Sequence, residues 1–484
     1  MMQFTTTRGA GQPVSAARAI CLGLAGDGGL FVPERFPSVD LKETLAQPDY
    51  PALAALILEK FLTDYDPAFL RDTVRQVYGE AFGEGTAPLR AAGDGLYSLE
   101  LWHGPTCAFK DFALQLMPRL LVEAKRMLGD GSTTAILVAT SGDTGKAALA
   151  GYCDVPGVTI TVFYPSHGTS EIQRLQMTTQ QGGNVAVYAV QGNFDDAQTG
   201  VKRIFGDADV ARQLAARGVH LSSANSINWG RLVPQIVYHF HAYGQLVRAG
   251  ALKAGDKADF CVPTGNFGDI LAGWYAKQMG LPVGKLICAS NKNDVLTEFF
   301  ATGVYNARRP FYRTTSPSMD ILVSSNLERL LYHMAGADRV RGWMKQLSED
   351  GSYRVDPEVM ERIRADFDAA SADDATAAAQ IRELFEQRGY LCDPHTAVAF
   401  SAARRNKSEA PMVVLSTASP FKFPRDVLAA LGRPLPRDEF AAMGALAEYT
   451  GQPAPKALAC LRSLPERFDA VIAPDALGDV VLGE

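Results

Sequence analysis

Lys110 is the residue whose setting most directly suggests covalent chemistry. It follows a Gly-Pro turn and stands between Phe109 and Phe112. The spacing after the turn predicts an amphipathic helix, because four apolar residues can share one face: Phe112, Leu116, Leu120 and Leu121. A lysine near the positive end of a helix, with apolar neighbours, has a disfavoured ammonium form, so its free amine can attack an aldehyde. The alternative is a lysine that reaches from the first helical turn to solvent.

The loop Thr140–Lys146 follows the apolar run Ala135–Ala139 and precedes an alanine-rich helical pattern. A loop of small residues between a strand and a helix presents backbone N–H groups at a helix N-terminus, which suits an anion. The hydroxyls of Ser141 and Thr144 add donors, while Asp143 either meets a polar ligand atom or serves as an ordinary N-cap. The spacing GxxxxGK[ST] is absent, so a nucleoside triphosphate site is not predicted.

The segment Pro263–Ile270 again joins a strand pattern to a helical pattern. Gly265 and Gly268 flank Asn266 and Phe267, which allows the backbone to wrap closely around a phosphate and donate several N–H bonds. The GxGxxG fingerprint is absent, so a dinucleotide is disfavoured. The alternative is a glycine-rich turn without a ligand, but a second strand–loop–helix element of this kind favours a phosphorylated ligand.

A third loop, Leu415–Pro424, follows another apolar run near the end of the chain. Ser416 or Thr417 could project from the C-terminal end of that strand, where open α/β sheets bind ligands. Taken alone, the segment also fits an ordinary Ser/Thr-Pro turn.

Short apolar runs separated by helical patterns must position these loops. The runs predict strands over Ala135–Ala139, Val158–Tyr164, Val185–Val190, Ala258–Pro263, Leu286–Ala289 and Met412–Ser416. Continuous apolar runs of this length indicate parallel strands that are covered on both faces. The predicted class is α/β, built from βαβ crossovers.

Length and composition bound the function classes. A chain of 484 residues predicts two or three domains, and its net charge of −6 argues against a nucleic-acid partner and for a small molecule. The seven scattered cysteines form no CxxC pair, so neither disulfides nor a zinc site is predicted. The start has no signal-peptide pattern and no apolar stretch approaches the roughly 20 residues of a membrane span. We therefore expect a soluble, cytoplasmic protein with no membrane partner.

The motifs occur in an order that resembles threonine synthase, and the longer bacterial and fungal form is the better match. The segments that carry the resemblance run from about residue 20 to about residue 425: Gly23–Pro33, His103–Phe112, Ser141–Gly145, Gln191–Asp196, Asn225–Arg231 and Gly265–Asp269. Each segment alone is modest, whereas the ordered set is specific.

The resemblance implies the tryptophan-synthase-β-like fold, which is fold type II among pyridoxal-phosphate enzymes. This α/β fold has two parallel-sheet domains, here with an extra N-terminal domain and a helical C-terminal extension. The implied ranges are 1–95 for the N-terminal domain, 96–115 and 255–430 for the large cofactor-binding domain, 116–254 for the small domain and 431–484 for the extension.

The resemblance also implies roles in binding pyridoxal 5′-phosphate. Lys110 would be the Schiff-base lysine and proton shuttle, and the residues from Gly265 to Asp269 would cradle the cofactor phosphate: Gly265, Asn266, Phe267, Gly268 and Asp269. Thr417 would hydrogen-bond the pyridine nitrogen and leave it neutral. Asp143 occupies the place near the cofactor's 3′-oxygen, where an ionised carboxylate would repel a phenolate.

The implied substrate is O-phosphohomoserine, which would react with water to give threonine and phosphate by γ-elimination and β-addition, the last step of threonine biosynthesis. The Ser141–Gly145 loop, with Ser141 and Thr144, would receive the substrate's carboxylate or phosphate. Lys146 and Arg231 would be cationic partners of the leaving phosphate, and Asn228 would contribute from the Asn225–Arg231 stretch. The enzyme, a lyase, is expected as a monomer or homodimer.

Two other classes compete with this interpretation. Serine or threonine dehydratases and cysteine-forming sulfhydrylases share the lysine and the phosphate loop, but generally lack the Asp27–Gly29 and Asn193–Asp196 stretches. A non-catalytic homologue would keep the fold but tend to lose the lysine or a glycine of the phosphate loop, and neither is lost here.

Overall fold

Two parallel sheets form the framework of the computed structural model, which describes residues 1–79, 81–82, 85–140 and 142–483. The strands are β1 (Phe4–Thr6), β2 (Phe31–Pro33), β3 (Leu89–Gly93), β4 (Leu96–Glu100), β5 (Thr133–Ala139), β6 (Val158–Pro165), β7 (Val185–Val190), β8 (Val219–Ser222), β9 (Ala258–Pro263), β10 (Val283–Ser290), β11 (Val304–Asn306), β12 (Ser352–Arg354), β13 (Phe367–Ser371), β14 (Met412–Ser416) and β15 (Val471–Ile472).

Helices cover both faces of these sheets. They are α1 (Ala16–Leu22), α2 (Leu41–Leu45), α3 (Tyr50–Phe61), α4 (Pro67–Gly79), α5 (Asp111–Leu114), α6 (Met117–Met127), α7 (Asp143–Tyr152), α8 (Glu171–Thr178), α9 (Phe194–Gly206), α10 (Ala208–Ala216), α11 (Trp229–Arg248), α12 (Gly268–Gln278), α13 (Val295–Thr302), α14 (Leu327–Ala335), α15 (Ala337–Asp350), α16 (Pro357–Asp366), α17 (Asp374–Arg388), α18 (Pro394–Arg405), α19 (Pro424–Ala430), α20 (Glu439–Thr450), α21 (Lys456–Ala459) and α22 (Leu477–Leu482). None of the helices in these described ranges is long and apolar enough to cross a membrane.

The larger sheet has the strand order β13-β10-β9-β14-β4-β3 and is parallel except for the β3–β4 pair. Every residue of β9 and β14 is buried, which explains why these central strands are continuous apolar runs rather than alternating patterns. The antiparallel β3 lies at the edge and exposes two of its five residues. It precedes the boundary expected at residue 95 yet pairs with β4, so the N-terminal segment contributes a strand to this sheet.

The smaller sheet has the order β15-β7-β6-β5-β8 and is parallel throughout. Its outer strand β15 comes from the C-terminal extension, where Gln191 N–H donates to Ile472 O at 2.9 Å. The extension contains the helices α20, α21 and α22, as the sequence predicts for a helical segment, and adds this one short strand. The two sheets confirm the predicted α/β class.

Candidate active site

The predicted loops meet at the carboxyl ends of the parallel strands. Lys110 immediately precedes α5, Asp143 is the first residue of α7, and Thr417 follows β14. The segments on either side of the site are joined through the backbone, because Phe109 N–H donates to Thr417 O at 2.8 Å. This edge is where open α/β sheets place their ligands.

The amine of Lys110 is buried among polar groups and does not reach from the helix to solvent. Its Nζ donates to Ser318 Oγ at 3.1 Å and to Asp143 Oδ2 at 3.4 Å, and it lies 5.3 Å from the centre of the Phe109 ring. Burial lowers the pKa of Lys110, and the nearby ammonium of Lys422 lowers it further, although Asp143 opposes both. The free amine of Lys110 is therefore easier to form than that of a solvent-exposed lysine, as a nucleophile for an aldehyde requires.

Asp143 is the centre of the charged groups in the site. It is the first residue inside α7, whose N-cap is Gly142, so Asp143 is not the N-cap that one interpretation of the sequence allowed. Its Oδ1 pairs with Lys422 Nζ at 2.6 Å and accepts from Gln173 Nε2 at 3.1 Å. Burial alone would raise the pKa of Asp143, but Lys422 and Lys110 outweigh burial and hold it well below its usual range.

Lys422 is a second buried lysine that the sequence analysis did not select. It ends a short 3-10 turn after β14, and its Nζ also donates to Thr106 O at 3.1 Å. Its side chain has 0% exposure. The signal was present in the sequence, because Lys422 stands between Phe421 and Phe423, much as Lys110 stands between aromatic residues.

Ser318 was also missed, because it lies in an irregular segment 208 residues from Lys110. Its backbone N–H donates to His395 Nε2 at 3.2 Å, and the other ring nitrogen of His395 contacts Asp393 Oδ2 at 2.6 Å. His395 therefore accepts at Nε2 and donates from Nδ1 to the carboxylate. Asp320 holds the same segment, since it accepts hydrogen bonds from the side chains of Asn291, Asn293 and Thr314.

The glycine-rich loop before α12 forms a narrow turn. Phe267 adopts a left-handed conformation with φ of 62°, and its ring is buried beside Phe300 and Phe367. A Cβ atom at Gly265 would lie 2.7 Å from Ser318 O, so only glycine fits there without a shift of the backbone. Because α12 begins at Gly268, the N–H groups of its first turn have no partner within the helix and can bind an anion.

Asn326 supports this loop from behind. Its backbone N–H and its side-chain amide both donate to Asn266 O at 3.0 Å. Arg329 in turn donates to Asn326 Oδ1 and, at 2.9 Å, to Phe31 O in the N-terminal strand β2. The N-terminal segment is thus connected to the glycine-rich loop by side-chain hydrogen bonds.

Asp269 turns its carboxylate toward α11 rather than toward the loop opening. Tyr238 OH donates to Asp269 Oδ1 at 2.6 Å, while Oδ2 has no partner within the described residues. Burial raises the pKa of Asp269 to about 7. In this structure the side chain supports the start of α12, and the backbone belongs to the glycine-rich turn.

The predicted substrate-binding residues fall into different surroundings. Arg231 is buried, donates to Ala224 O, and leaves its Nε without a partner among the described residues; it also lies close enough to Lys110 to lower that pKa. Lys146 Nζ donates to Gln180 Oε1 at 2.6 Å, and burial lowers the pKa of Lys146 to about 8. Thr144 is half-buried in the first turn of α7, and Ser141 lies outside the described residues.

Asn228 faces away from this cluster. It caps α11 by accepting from Gly230 N–H at 2.8 Å, and its amide nitrogen donates to Ile20 O at 3.0 Å. The amide oxygen therefore caps α11, and the amide nitrogen holds α11 against α1.

Comparisons with known proteins agree along the whole chain. The family model "Pyridoxal-phosphate dependent enzyme" matches residues 82–417. "Threonine synthase N terminus" matches residues 3–78, and "Threonine synthase, C-terminal" matches residues 396–481.

Individual relatives show the same pattern. Threonine synthase-like 1 from Homo sapiens is 42% identical over 439 residues, which are 87% of this chain, and the chain spans 59% of the length of that relative. Threonine synthase from Pseudomonas aeruginosa is 41% identical over 88% of this chain and 90% of its own length. The crystal structure of PLP-bound threonine synthase from Brucella melitensis matches with a TM-score of 0.90 and 36% identity, covering 100% of this chain and 99% of that one.

Proposed function

The chain belongs to the threonine synthase family, and from this we propose that it converts O-phosphohomoserine and water into threonine and phosphate, as the last step of threonine biosynthesis. The family membership and the structural match confirm the resemblance and the fold type II architecture expected from the motifs. The catalytic group of this lyase is Lys110. The observation that supports the proposal best is the buried Lys110 amine beside a glycine-rich helix start.

The residues at the site fit pyridoxal phosphate. A Cβ at Gly265 would meet Ser318 O, so glycine lets the Ser318 segment, which carries the hydroxyl beside Lys110, close against the loop. The free N–H groups at the start of α12 can bind a phosphate. Lys110 is buried and its pKa is lowered, which keeps an amine ready for an aldehyde. The turn that can bind a phosphate and the amine that can attack an aldehyde therefore lie within one cluster, and Ser318 contacts both.

Each predicted cofactor residue has a proposed task. Residues Gly265 to Asp269 hold the phosphate through backbone N–H groups at the start of α12. The hydroxyl of Thr417 would hold the ring nitrogen of the cofactor, and Asp143 would stand near its ring oxygen. Pyridoxal phosphate supplies an electron sink that stabilises negative charge next to the amino group of the substrate.

Lys110 moves protons at its Nζ. With the cofactor and substrate bound, the free amine of Lys110 would accept and later return the α proton, and would relay a β proton to Cγ as the bond to phosphate breaks there. Ser318 Oγ, 3.1 Å from Nζ, orients the lone pair of the amine. Phosphate leaves from Cγ, and water adds at Cβ.

The substrate phosphate is the group most in need of cationic partners. Arg231 suits this task, because a buried guanidinium whose Nε has no partner among the described residues favours an anion. Lys146 in α7 is a second cation, and Thr144 and Ser141 complete the proposed substrate contacts. Asn228 would act indirectly, by capping α11, which carries Arg231.

The proposal is tested by incubating the purified protein with O-phosphohomoserine. We expect release of phosphate and threonine and a visible absorbance from the lysine-bound cofactor. Lys110→Ala should lose that absorbance and reduce phosphate release by at least about 10³-fold, since it removes both the nucleophile and the proton carrier. Lys125→Ala, at a buried lysine bonded to Ser132 and Thr134, is the matched control and should keep both properties.

Ammonia release from serine without phosphate release from O-phosphohomoserine would contradict the proposal in favour of a dehydratase. A protein that stays colourless with added cofactor would indicate a non-catalytic homologue. We further propose that the enzyme is cytoplasmic, acts as a monomer or homodimer, and has no nucleic-acid partner, consistent with its net charge of −6.

A further inference from the structure

Two lysines compete for one buried carboxylate. Asp143 lies 2.6 Å from Lys422 Nζ through Oδ1 and 3.4 Å from Lys110 Nζ through Oδ2. Lys422 is the more enclosed of the two, with a side-chain exposure of 0% against 10% for Lys110. The carboxylate is therefore engaged mainly by the lysine that cannot reach solvent.

We propose that Lys422 is a positioning residue that engages Asp143 and thereby keeps Lys110 in the free-amine form. The proposal deepens the proposed function, on which it rests for the need of a free amine at position 110. Lys422 acts through Asp143 and does not itself contact the reacting atoms.

The argument starts from the charge balance of the cluster. A buried carboxylate needs a cation, and the nearer ammonium supplies it in a short, charge-assisted hydrogen bond. With its charge shared with Lys422, Asp143 stabilises a proton on Lys110 less than it would alone, although it still opposes the effect of burial. If Lys422 were absent, the same carboxylate would favour the ammonium form of Lys110.

Lys422 also resolves a difficulty in the predicted role of Asp143. A bare carboxylate would repel an electron-rich ring oxygen, whereas the Asp143–Lys422 pair is neutral as a unit. Asp143 can therefore stand next to such an oxygen at a low cost. The Asp143–Lys422 pair thus affects the protonation of Lys110 and also lies on the side of the site proposed to bind the cofactor ring.

Several titratable groups face the cluster. Around Lys110 they are Asp143 from α7, Lys422 from the turn after β14, and Arg231 from α11. His395 from α18 lies near Asp143, and Asp111 from α5 and Lys146 from α7 lie near Lys422. Arg231 and burial disfavour the ammonium of Lys110 in any variant. A double variant that also removes the Asp143 carboxylate separates the action of Lys422 through Asp143 from its action on Asp111 and Lys146.

The test measures the titration of Lys110 in the full chain. Competitive labelling with acetic anhydride across a pH series, with the peptide that contains Lys110 quantified by mass spectrometry, gives the midpoint at which its amine becomes reactive. Lys422→Met removes the charge but keeps the length of the side chain. We expect the Lys110 midpoint to rise by at least about 1 pH unit, equivalent to about a tenfold change in the ratio of free amine to ammonium at a given pH.

Matched variants separate this effect from a general loss of stability. Lys125→Met removes another buried lysine, bonded to Ser132 and Thr134, and should leave the Lys110 midpoint unchanged. Lys422→Arg keeps the charge and should keep the wild-type midpoint within about 0.3 pH units. The double variant Asp143→Asn with Lys422→Met should lose the upward shift, because the competing carboxylate is gone.

An unchanged or lower midpoint in Lys422→Met would overturn the proposal. If that variant does not fold, Lys422→Gln is measured in the same way and must show the same rise. The labelling is done on the full chain after removal of pyridoxal phosphate, because cofactor bound to Lys110 would block its amine. It needs no substrate, so it remains informative even if O-phosphohomoserine releases no phosphate. A failure of the proposed function and a failure of this inference are thus distinguishable.

Discussion

At the scale of single residues, the site depends on residues whose surroundings leave no space for a larger side chain. Gly265 is one of them, because its Cα faces the carbonyl of Ser318. The same Ser318 presents its hydroxyl to Lys110 at 3.1 Å. One residue therefore sets both the width of the glycine-rich loop and the surroundings of the amine.

Gly265→Ala should weaken cofactor binding by about tenfold or more. The added Cβ would lie 2.7 Å from Ser318 O, so either the loop or the Ser318 segment must move. The measurement is a titration of the protein with pyridoxal phosphate, followed by visible absorbance. Gly342→Ala, where a Cβ meets nothing within 4 Å, is the control; equal affinities in the two variants would refute the expectation.

At the scale of elements, the N-terminal segment and α14 act as a support for the glycine-rich loop. Arg329 in α14 is fully buried and donates to Phe31 O of β2, to Ile227 O before α11, and to Asn326. Asn326 in turn donates hydrogen bonds to Asn266 O in the glycine-rich loop. The neighbouring Glu328 accepts from Thr7 Oγ1 at 2.6 Å and from Arg8, which fixes the first strand to the same helix.

Asn326→Ala should lower both stability and cofactor affinity. The change removes the amide that holds Asn266 O and leaves a buried donor of Arg329 unsatisfied, at a cost of about 1–3 kcal/mol in the free energy of unfolding. Chemical denaturation measures the stability, and the pyridoxal-phosphate titration measures the affinity, which we expect to fall by about tenfold. Asn406→Ala, which removes only a local bond to Ala402 O at 2.9 Å, should leave the affinity unchanged. A loss of stability without a loss of affinity would show that Asn326 does not position the loop.

At the scale of the whole molecule, buried histidines and buried carboxyls have pKa values shifted in opposite directions, and their effects on stability partly cancel. Burial lowers the pKa of His239, His241 and His333 to about 3, 4 and 3, so these imidazoles stay neutral when folded. Burial raises the pKa of Asp111 and Asp269 to about 6 and 7. As the pH falls, the histidines therefore favour the unfolded chain, which takes up protons near pH ~6.5, while the two carboxyls favour the folded protein.

Lowering the pH from 7 to 5 should reduce the free energy of unfolding by on the order of 2 kcal/mol. The three histidines lower the stability as the pH falls, and the two carboxyls offset only part of that loss. Each proton that the unfolded chain binds in excess of the folded protein contributes about 1.4 kcal/mol per pH unit. Urea unfolding at several pH values measures the slope. His239→Asn, whose amide can still donate to Gln235 O in place of the ring nitrogen at 3.1 Å, should remove most of the decline. The control His167→Asn, at an exposed histidine, should keep the decline in stability. Stability that rises toward pH 5 would contradict the assignment of the decline to the buried histidines.

Much of the framework was predictable from local patterns. The apolar runs predicted the central strands, because a parallel strand covered on both faces is apolar at consecutive positions and does not alternate with polar residues. The glycine-rich and small-residue loops were predictable for a related reason: turns that bind phosphate need glycines and a helix start close together in sequence. Lys110 was identified because its aromatic neighbours and its helix start are adjacent in the chain.

The partners of Lys110 were decided only by the tertiary structure. Ser318, Lys422 and Asp143 reach it from segments that are far apart in the chain, and no local pattern says which distant side chains will meet. The sequence alone could not show that Asn228 holds α11 against α1, or that Asp269 turns toward Tyr238. Local sequence determines secondary structure because backbone geometry is local, whereas the charge and pKa of a buried group depend on everything that the fold packs around it.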